Sequence, residues 1–389
     1  VTNSSRQSRA ITIGLALIAV LFAVLAGLLI LDLTAANGNQ SPIAGDPPWY
    51  NAIATAVLDG SIPYIDVPIE HLPGALVPML VVGAISSITA MSFEALWPFA
   101  MGAAFVASVA LADRIPSHFN SGRRYLVLSL PLLPLVLFRI EPWLMVWVVA
   151  SLALAFRGRW PGFVGTTFLA SMTKGWPIIL FALPFRFGRK AVAVGGAAAT
   201  LLPLMAIAML PGFREGRAFD GIHTETIVGN LILVSRGLAG SDLQLIGVAG
   251  AAYTEAGSLA VFANALIGLP FIVISVVLVL RRESTNELVQ ALGVGVMGII
   301  LASPLFSSQF LFWLVPFILL ISSRWRRVYV VASIATLLTV ILWVPLAPTW
   351  SVIVLARNAL LIALAIGWTS DLLKTTSSSE PKQRLEHVA

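Results

Sequence analysis

Apolar stretches of about twenty residues, separated by short polar or basic punctuation, run through almost the whole chain. An α-helix needs roughly 18 to 25 apolar residues to cross the hydrocarbon core of a bilayer. The first such run covers about Ala10 to Leu33. Others lie near 73–91, 95–112, 125–139, 141–156, 162–186, 191–210, 258–280, 288–303, 309–323, 328–345 and 351–372. The pattern predicts about twelve crossings. The period-two alternation of a membrane β-strand is absent, and lipid offers an exposed backbone no other hydrogen bonds. The expected fold is all-α: a polytopic transmembrane helical bundle, one domain over residues 1–372, with 373–389 as a disordered cytoplasmic tail.

Two polar stretches break the rhythm. Residues 35–72 contain no Lys or Arg but hold Asp46, Asp59, Asp66 and Glu70, a bias expected of an outer loop. Within it Trp49, Tyr50, Ile53, Ala54, Val57 and Leu58 recur at helical spacing, which predicts a short amphipathic helix lying along the membrane surface. Gly60 and Pro63 would end it. Residues 211–257 form a second long outer loop. Arg6 and Arg9 before the first run, and clusters at Arg186-Arg189-Lys190, Arg281-Arg282 and Arg324-Arg326-Arg327, place both termini in the cytoplasm. A strict count of twelve leaves Arg123-Arg124 and Arg157-Arg159 outside, against the charge rule. Broken or re-entrant helices between 73 and 186 would remove that conflict. The first run lacks a small-residue cleavage site and reads as a retained helix, with a signal peptide as the alternative.

Composition supports lipid as the solvent. Of 389 residues, 58% are hydrophobic and only 11% charged, against about a quarter charged in a soluble domain. The net charge of +6 is spread in short clusters between apolar runs, so it reads as inside-positive loops and not as a nucleic-acid surface. With no cysteine there is no disulfide or thiolate chemistry, and four scattered histidines make a His-built metal site improbable.

Candidate chemistry concentrates beside the membrane entry points of the first outer loop. A partly desolvated carboxylate there can act as a general base toward a hydroxyl or hold a divalent cation against a phosphate. Asp46, followed by Pro47-Pro48, equally suits a helix N-cap. His71 beside Glu70 is either a proton shuttle or a packing residue. Lys174 sits within an apolar run, where a charge is costly and usually functional; the alternative is a snorkelling side chain. Arg139 and Glu141 flank a break at Pro142, either as an ion pair joining two helices or as an Arg for phosphate beside an acid for hydroxyls. Arg214 and Arg217 offer a planar fork for phosphate or a solvated surface, and Gln309 can hydrogen-bond sugar hydroxyls.

The segment GDPPWY, then LDGSIPYIDVPIEHLPGAL, resembles the first outer loop of GT-C glycosyltransferases. It is most similar to the actinobacterial family 87 mannosyltransferases of phosphatidylinositol mannoside synthesis. Asp46, Gly60, Tyr64, Asp66, Glu70 and Pro73 match that pattern, while His71 and Leu72 stand where the family has Tyr and Pro. GTTFLASMTKGWPIILFALPF resembles the family's Gly-rich helix followed by Lys and Pro. SPLFSSQFLFWLVPF resembles its segment with Ser303, Pro304, Ser307, Gln309, Phe310, Trp313 and Pro316 in register.

The resemblance implies inverting transfer of mannose or arabinofuranose from a polyprenyl-phosphate donor to a lipid-linked or glycan acceptor. The reaction would take place on the outer face of an actinobacterial plasma membrane. Asp46 would be the base, with Asp66, Glu70, His71, Arg139, Glu141, Lys174, Arg214, Arg217 and Gln309 as candidate substrate-binding residues. The resemblance names no definite cofactor, and a divalent cation (Mg or Mn) is compatible with it. The D-x-D motif of nucleotide-sugar transferases is missing. A transporter or flippase of lipids or small solutes is the alternative. It would gather acids near the midplane of the bundle, whereas half of this chain's 18 acids fall in the two long outer loops.

Overall fold

The computed structural model describes residues 3–36, 46–115, 120–216, 221–238, 245–248, 251–254, 258–342 and 348–377. Its helices are α1 (Asn3–Ala36), α2 (Asp46–Leu58), α3 (Pro73–Ile88), α4 (Phe93–Ala112), α5 (Ser121–Ser129), α6 (Leu133–Val136), α7 (Glu141–Ala155), α8 (Trp160–Thr173) and α9 (Ala182–Arg186). They continue with α10 (Lys190–Ala208), α11 (Pro211–Gly216), α12 (Ile227–Leu238), α13 (Ser258–Arg281), α14 (Thr285–Ala302), α15 (Val315–Ile318), α16 (Ser323–Ile341) and α17 (Pro348–Ser377). Two 3-10 segments, Trp176–Phe181 and Ser308–Leu314, precede α9 and α15. The all-α expectation holds apart from one small antiparallel sheet in the 211–257 region. There β3 (Ala251–Thr254) lies between β1 (Ile222–His223) and β2 (Leu245–Val248), with Ile222 opposite Thr254.

Among the described residues, six helices are long and apolar enough to cross a membrane: Gln7–Asp32, Phe93–Ala112, Lys190–Ala208, Ser258–Arg281, Thr285–Ala302 and Thr349–Lys374. Leu21, Phe22, Leu25 and Leu29 of α1 are more than half exposed, as are Leu202 and Met205 of α10. An apolar belt of this kind on a helical bundle belongs in lipid. The chain is a helical membrane protein.

Several stretches expected as continuous crossings are broken. Residues 125–139 divide into α5 and α6, 309–323 into a 3-10 turn and α15, and 162–186 into α8 and a second segment meeting at Lys174. Proline supplies the cause. Pro134, Pro142, Pro177 and Pro316 each sit in the first turn of the element that follows a break, where a missing N–H costs nothing while the preceding helix cannot continue. The expected crossing at 73–91 is the 16-residue α3. It runs beside α2 in the same direction: Tyr50 meets His71 at one end, and Gly83 lies against Ala54 and Leu58 at the other.

The bundle has two chemically distinct ends. α4 starts beside α2, where Asn51 donates to Glu94 (3.1 Å), and finishes where Arg9 meets Asp113 (3.8 Å). α7 leaves the α2 end and α8 returns to it, the two joined midway by Ser151 donating to Thr166 (2.9 Å). At the far end Arg186 donates to the Arg282 carbonyl (2.6 Å), and Arg124 approaches Arg326 closely enough to feel its charge. The direction of each helix therefore brings Arg9, Arg123-Arg124, Arg157-Arg159, Arg186, Arg281-Arg282 and Arg324–Arg327 to one end and Asp46 to the other. Residues 373–377, expected as tail, continue α17; the rest of the tail lies outside the described residues.

Candidate functional site

The start of α2, the turn between α6 and α7, the break at Lys174 and the 3-10 turn 308–314 come together in the bundle. Irregular backbone inside a membrane protein is tolerated where protein buries it or where it lines a cavity. Asp46 opens α2, where the helix dipole favours an anion. One turn on, Tyr50 donates from its hydroxyl to Asp46 Oδ2 at 2.9 Å. The spacing of four residues puts both side chains on one face. Burial, and after it the Asp46 carboxylate, raises the Tyr50 phenol well above its ordinary range, so it stays protonated and donates. The Asp46 carboxylate also pairs with the Arg139 guanidinium, supplied by the turn between α6 and α7. Tyr50 is nearly fully buried against His71, Trp49 and Trp97.

Glu141, two residues past Arg139, finds a different partner. It is buried, and Lys174 Nζ lies 3.3 Å from its Oε1. Neither Glu141 oxygen has a partner in hydrogen-bond geometry. The contact is a charge pairing whose angle is poor for a hydrogen bond, and at this separation the Coulomb attraction stands regardless. Lys174 is also 5.4 Å from the Phe310 ring centroid and 5.7 Å from that of Trp313. Phe310 stacks on Trp313 at 4.1 Å, and Trp313 on Trp176 at 5.5 Å. The two indole N–H groups are buried without an acceptor. The arrangement is a cation held against an aromatic platform, with donors to spare.

A second network adjoins these residues. Glu225, just after β1, accepts from Arg357 of α17 (2.5 Å) and from the Ser308 hydroxyl (2.5 Å). Its backbone carbonyl accepts from Arg357 and Asn358. The Arg357 guanidinium lies 4.5 Å from the Phe306 ring centroid, and the His223 N–H donates to the Pro304 carbonyl at 2.9 Å. Burial would raise Glu225, but Arg357, His223 and the Ser308 bond outweigh it and hold the carboxyl below its ordinary range. Burial pushes His223 down to about 4 against the pull of Glu225, so the ring is neutral near pH 7.

The remaining predicted residues lie at the edge of this centre or beyond it. Asp66 is exposed and accepts from Ile62 N–H at 2.8 Å, closing its own loop. Glu70 lies 3.8 Å from His71 Nδ1, and His71 Nε2 is 3.4 Å from the Tyr50 hydroxyl, so this pair touches the site through Tyr50. Gln309 accepts from Ser307 at the start of the 3-10 turn that carries the platform. Arg214 is exposed on α11, and Arg217 falls outside the described residues. α11 nonetheless braces the loop: Ile69 N–H donates to Gly212 O and Gly212 N–H to Tyr64 O, both at 3.0 Å. Gly216 sits so close that a Cβ would lie 2.7 Å from Glu70 N.

Two expectations change. Arg139 and Glu141 do not pair with each other, because each reaches across the break to a remote partner. The acids are also less peripheral than the loop count implied, with Glu141 and Glu225 both buried. Tyr50, Glu225 and Arg357 were not expected as site residues. Helical spacing from Asp46 was a readable signal for Tyr50, and a lone arginine inside an apolar run was one for Arg357. For a divalent cation the donors do not fit. Asp46 is engaged by Arg139 and Tyr50, and the described residues hold no group of three or more metal-binding side chains. Compared with known proteins, the chain matches no family model, no curated protein and no solved structure.

Proposed function

We propose that the chain is a membrane glycosyltransferase of GT-C type. It moves a sugar, mannose or arabinofuranose, from a polyprenyl-phosphate donor to a lipid-linked or glycan hydroxyl. The observation that carries this reading is the convergence of Asp46, Arg139 and Lys174 at helix breaks, with an acidic partner on each cation. A phosphate entering between Arg139 and Lys174 competes with those carboxylates. As it takes the Arg139 guanidinium, Asp46 is released to act as base. The acceptor O–H gives its proton to Asp46, and its oxygen attacks the anomeric carbon. The bond from that carbon to the phosphate oxygen breaks, and the lipid phosphate leaves with the electron pair, inverting the centre. Phosphate is already a good leaving group, so no acid and no metal enter the step. An apolar groove of about 500 Å³ between Phe181, Phe185, Ala197, Val276 and Ile299 suits a prenyl chain.

In this reading the basic end of the bundle faces the cytoplasm and Asp46 faces outward. α2 and α3 both lie at the outer surface, and neither crosses. The passes are α1, α4, α5 with α6, α7, α8, residues 176–186, α10, α13, α14, residues 308–318, α16 and α17, which gives twelve. Arg123-Arg124 and Arg157-Arg159 then fall inside with the other cations.

The test is transfer from radiolabelled polyprenyl-phosphate mannose, and in parallel arabinose, by membranes carrying native protein or Asp46→Asn. Label is expected in a lipid or glycan product only with the native residue; equal transfer by the variant sinks the mechanism. A transporter is the second reading. The buried pairs Glu141–Lys174 and Glu225–Arg357 favour it, since transporters hold ionisable groups deep in the bundle. Lipid or solute flux in proteoliposomes, with no sugar transfer by the native chain, would decide for it.

A further inference from the structure

The buried network around Glu225 joins three parts of the chain that are remote in sequence, and it does so at the entrance to the platform segment. Arg357 is wholly buried; it donates to the Glu225 carboxylate and carbonyl and to Asn358, and Glu225 Oε2 also accepts from Ser308. The residues they grip on the other side, Phe306 and Ser308, directly precede Gln309, Phe310 and Trp313. The His223 bond to Pro304 ties the same stretch a second time. Asn264 of α13 ties it a third time, donating to the Leu301 and Ser303 carbonyls at 3.2 and 2.9 Å. Residues 303–307, up to the 3-10 turn that begins at Ser308, contain no helix of their own. Their course is set by these bonds and not by a backbone ladder, and the position of the Lys174 platform follows from it.

We propose that Glu225 and Arg357 are positioning residues. They form a buried strut that fixes residues 303–308 and, through the 3-10 turn, the Phe310–Trp313 surface that holds Lys174 for the donor. This rests on the transfer reading above. A planar fork grips a carboxylate and a carbonyl of one residue at once, which lysine cannot reproduce. A displacement of about 1 Å at a reacting site is enough to cost on the order of 100-fold in rate.

The test uses the full chain in nanodiscs, native and with Arg357→Lys, Arg357→Met or Glu225→Gln. Hydrogen exchange is followed by mass spectrometry and sugar transfer by kcat and KM. Faster exchange is expected in peptides covering 222–230 and 303–314, with α1 and α4 unchanged. The value of kcat is expected to fall about 100-fold while KM for the acceptor stays within a few-fold. Should Arg357→Met fail to insert, Glu225→Gln, which keeps shape and loses charge, carries the same test. Unchanged exchange at 303–314, or faster exchange with native kcat, overturns the strut. Faster exchange throughout the bundle reduces it to a general stability element and also overturns it. If native protein transfers neither sugar, the transfer reading fails, and the exchange experiment alone decides whether the strut exists.

Discussion

Replacing Lys174 with Met distinguishes a built ion pair from a snorkelling lysine. The substitution keeps an unbranched apolar chain of nearly the same length and removes the ammonium group that faces Glu141 and the Phe310 and Trp313 rings. Glu141 is 1% exposed and neither of its oxygens is hydrogen-bonded, so Lys174 is its neutralising group among the described residues. A buried carboxylate deprived of its partner costs about 3 to 5 kcal/mol, and the lost cation–π contacts add roughly 0.5 to 2 kcal/mol. A snorkelling lysine with its head in water would cost well under about 1 kcal/mol. The double variant Lys174→Met with Glu141→Gln removes the stranded charge but leaves a buried amide short of partners, at about 1 to 3 kcal/mol. It should therefore be more stable than Lys174→Met alone by about 2 kcal/mol. Equilibrium unfolding in mixed micelles, run as a double-mutant cycle, measures both quantities. A Lys174→Met loss below about 1 kcal/mol, or a double variant no better than the single, would show that the pairing contributes nothing.

Other outcomes follow from the same geometry. Asp46→Asn should abolish sugar transfer while leaving expression and donor binding intact, as read by labelled product and by donor cross-linking. Arg139→Gln should weaken donor binding on the order of 10- to 100-fold, since a charged hydrogen bond to phosphate is worth about 1.5 to 3 kcal/mol; unchanged binding would remove Arg139 from the donor site. Gly216→Ala drives a Cβ into the backbone at Glu70 and should destabilise by about 1 to 3 kcal/mol, visible as a lowered melting temperature, whereas the same change at Gly165, which has open space around it, should not. Both His223 and Glu225 titrate lower in the folded chain than in the unfolded one. The unfolded state therefore binds more protons, and stability is complete above about pH 6.5 and declines as pH falls toward 4. His223→Asn should flatten the part of that decline between about pH 6.5 and 4; an unchanged stability profile would contradict the assignment.

The helical membrane class and the break-prone region were legible because their causes are local. Apolar length sets one, and prolines at 134, 142, 177 and 316 set the other. Asp46 and Tyr50 also share a local cause, a spacing of four on one helix. The pairings Arg139–Asp46, Lys174–Glu141 and Arg357–Glu225 do not, since nothing within a few residues of Glu225 records that Arg357, 132 positions later, will meet it. Neighbours in sequence even mislead at a break. Arg139 and Glu141 stand two apart, yet α7 starts between them, and each side chain is carried to a different partner.

In the proposed arrangement two local departures from the hydropathy count cancel in the total and still reverse the segments between them. Counting 73–91 as a crossing adds one pass, and counting 162–186 as a single crossing removes one, so twelve survives in the proposed arrangement. Between those two points the proposed arrangement reverses every segment, and with that reversal Arg123-Arg124 and Arg157-Arg159 join the other cations. The physical reason lies in the two segments themselves. α3 has only 16 residues and runs alongside α2. α8 stops at Lys174, and Pro177 begins a new segment that carries the chain back to the Arg186 end, where it meets Arg282. The proposed arrangement therefore follows charge asymmetry where hydropathy disagrees with it. Cations gathered at one end of a bundle form a collective signal that no single window can counterfeit, whereas a span count depends on where each proline falls.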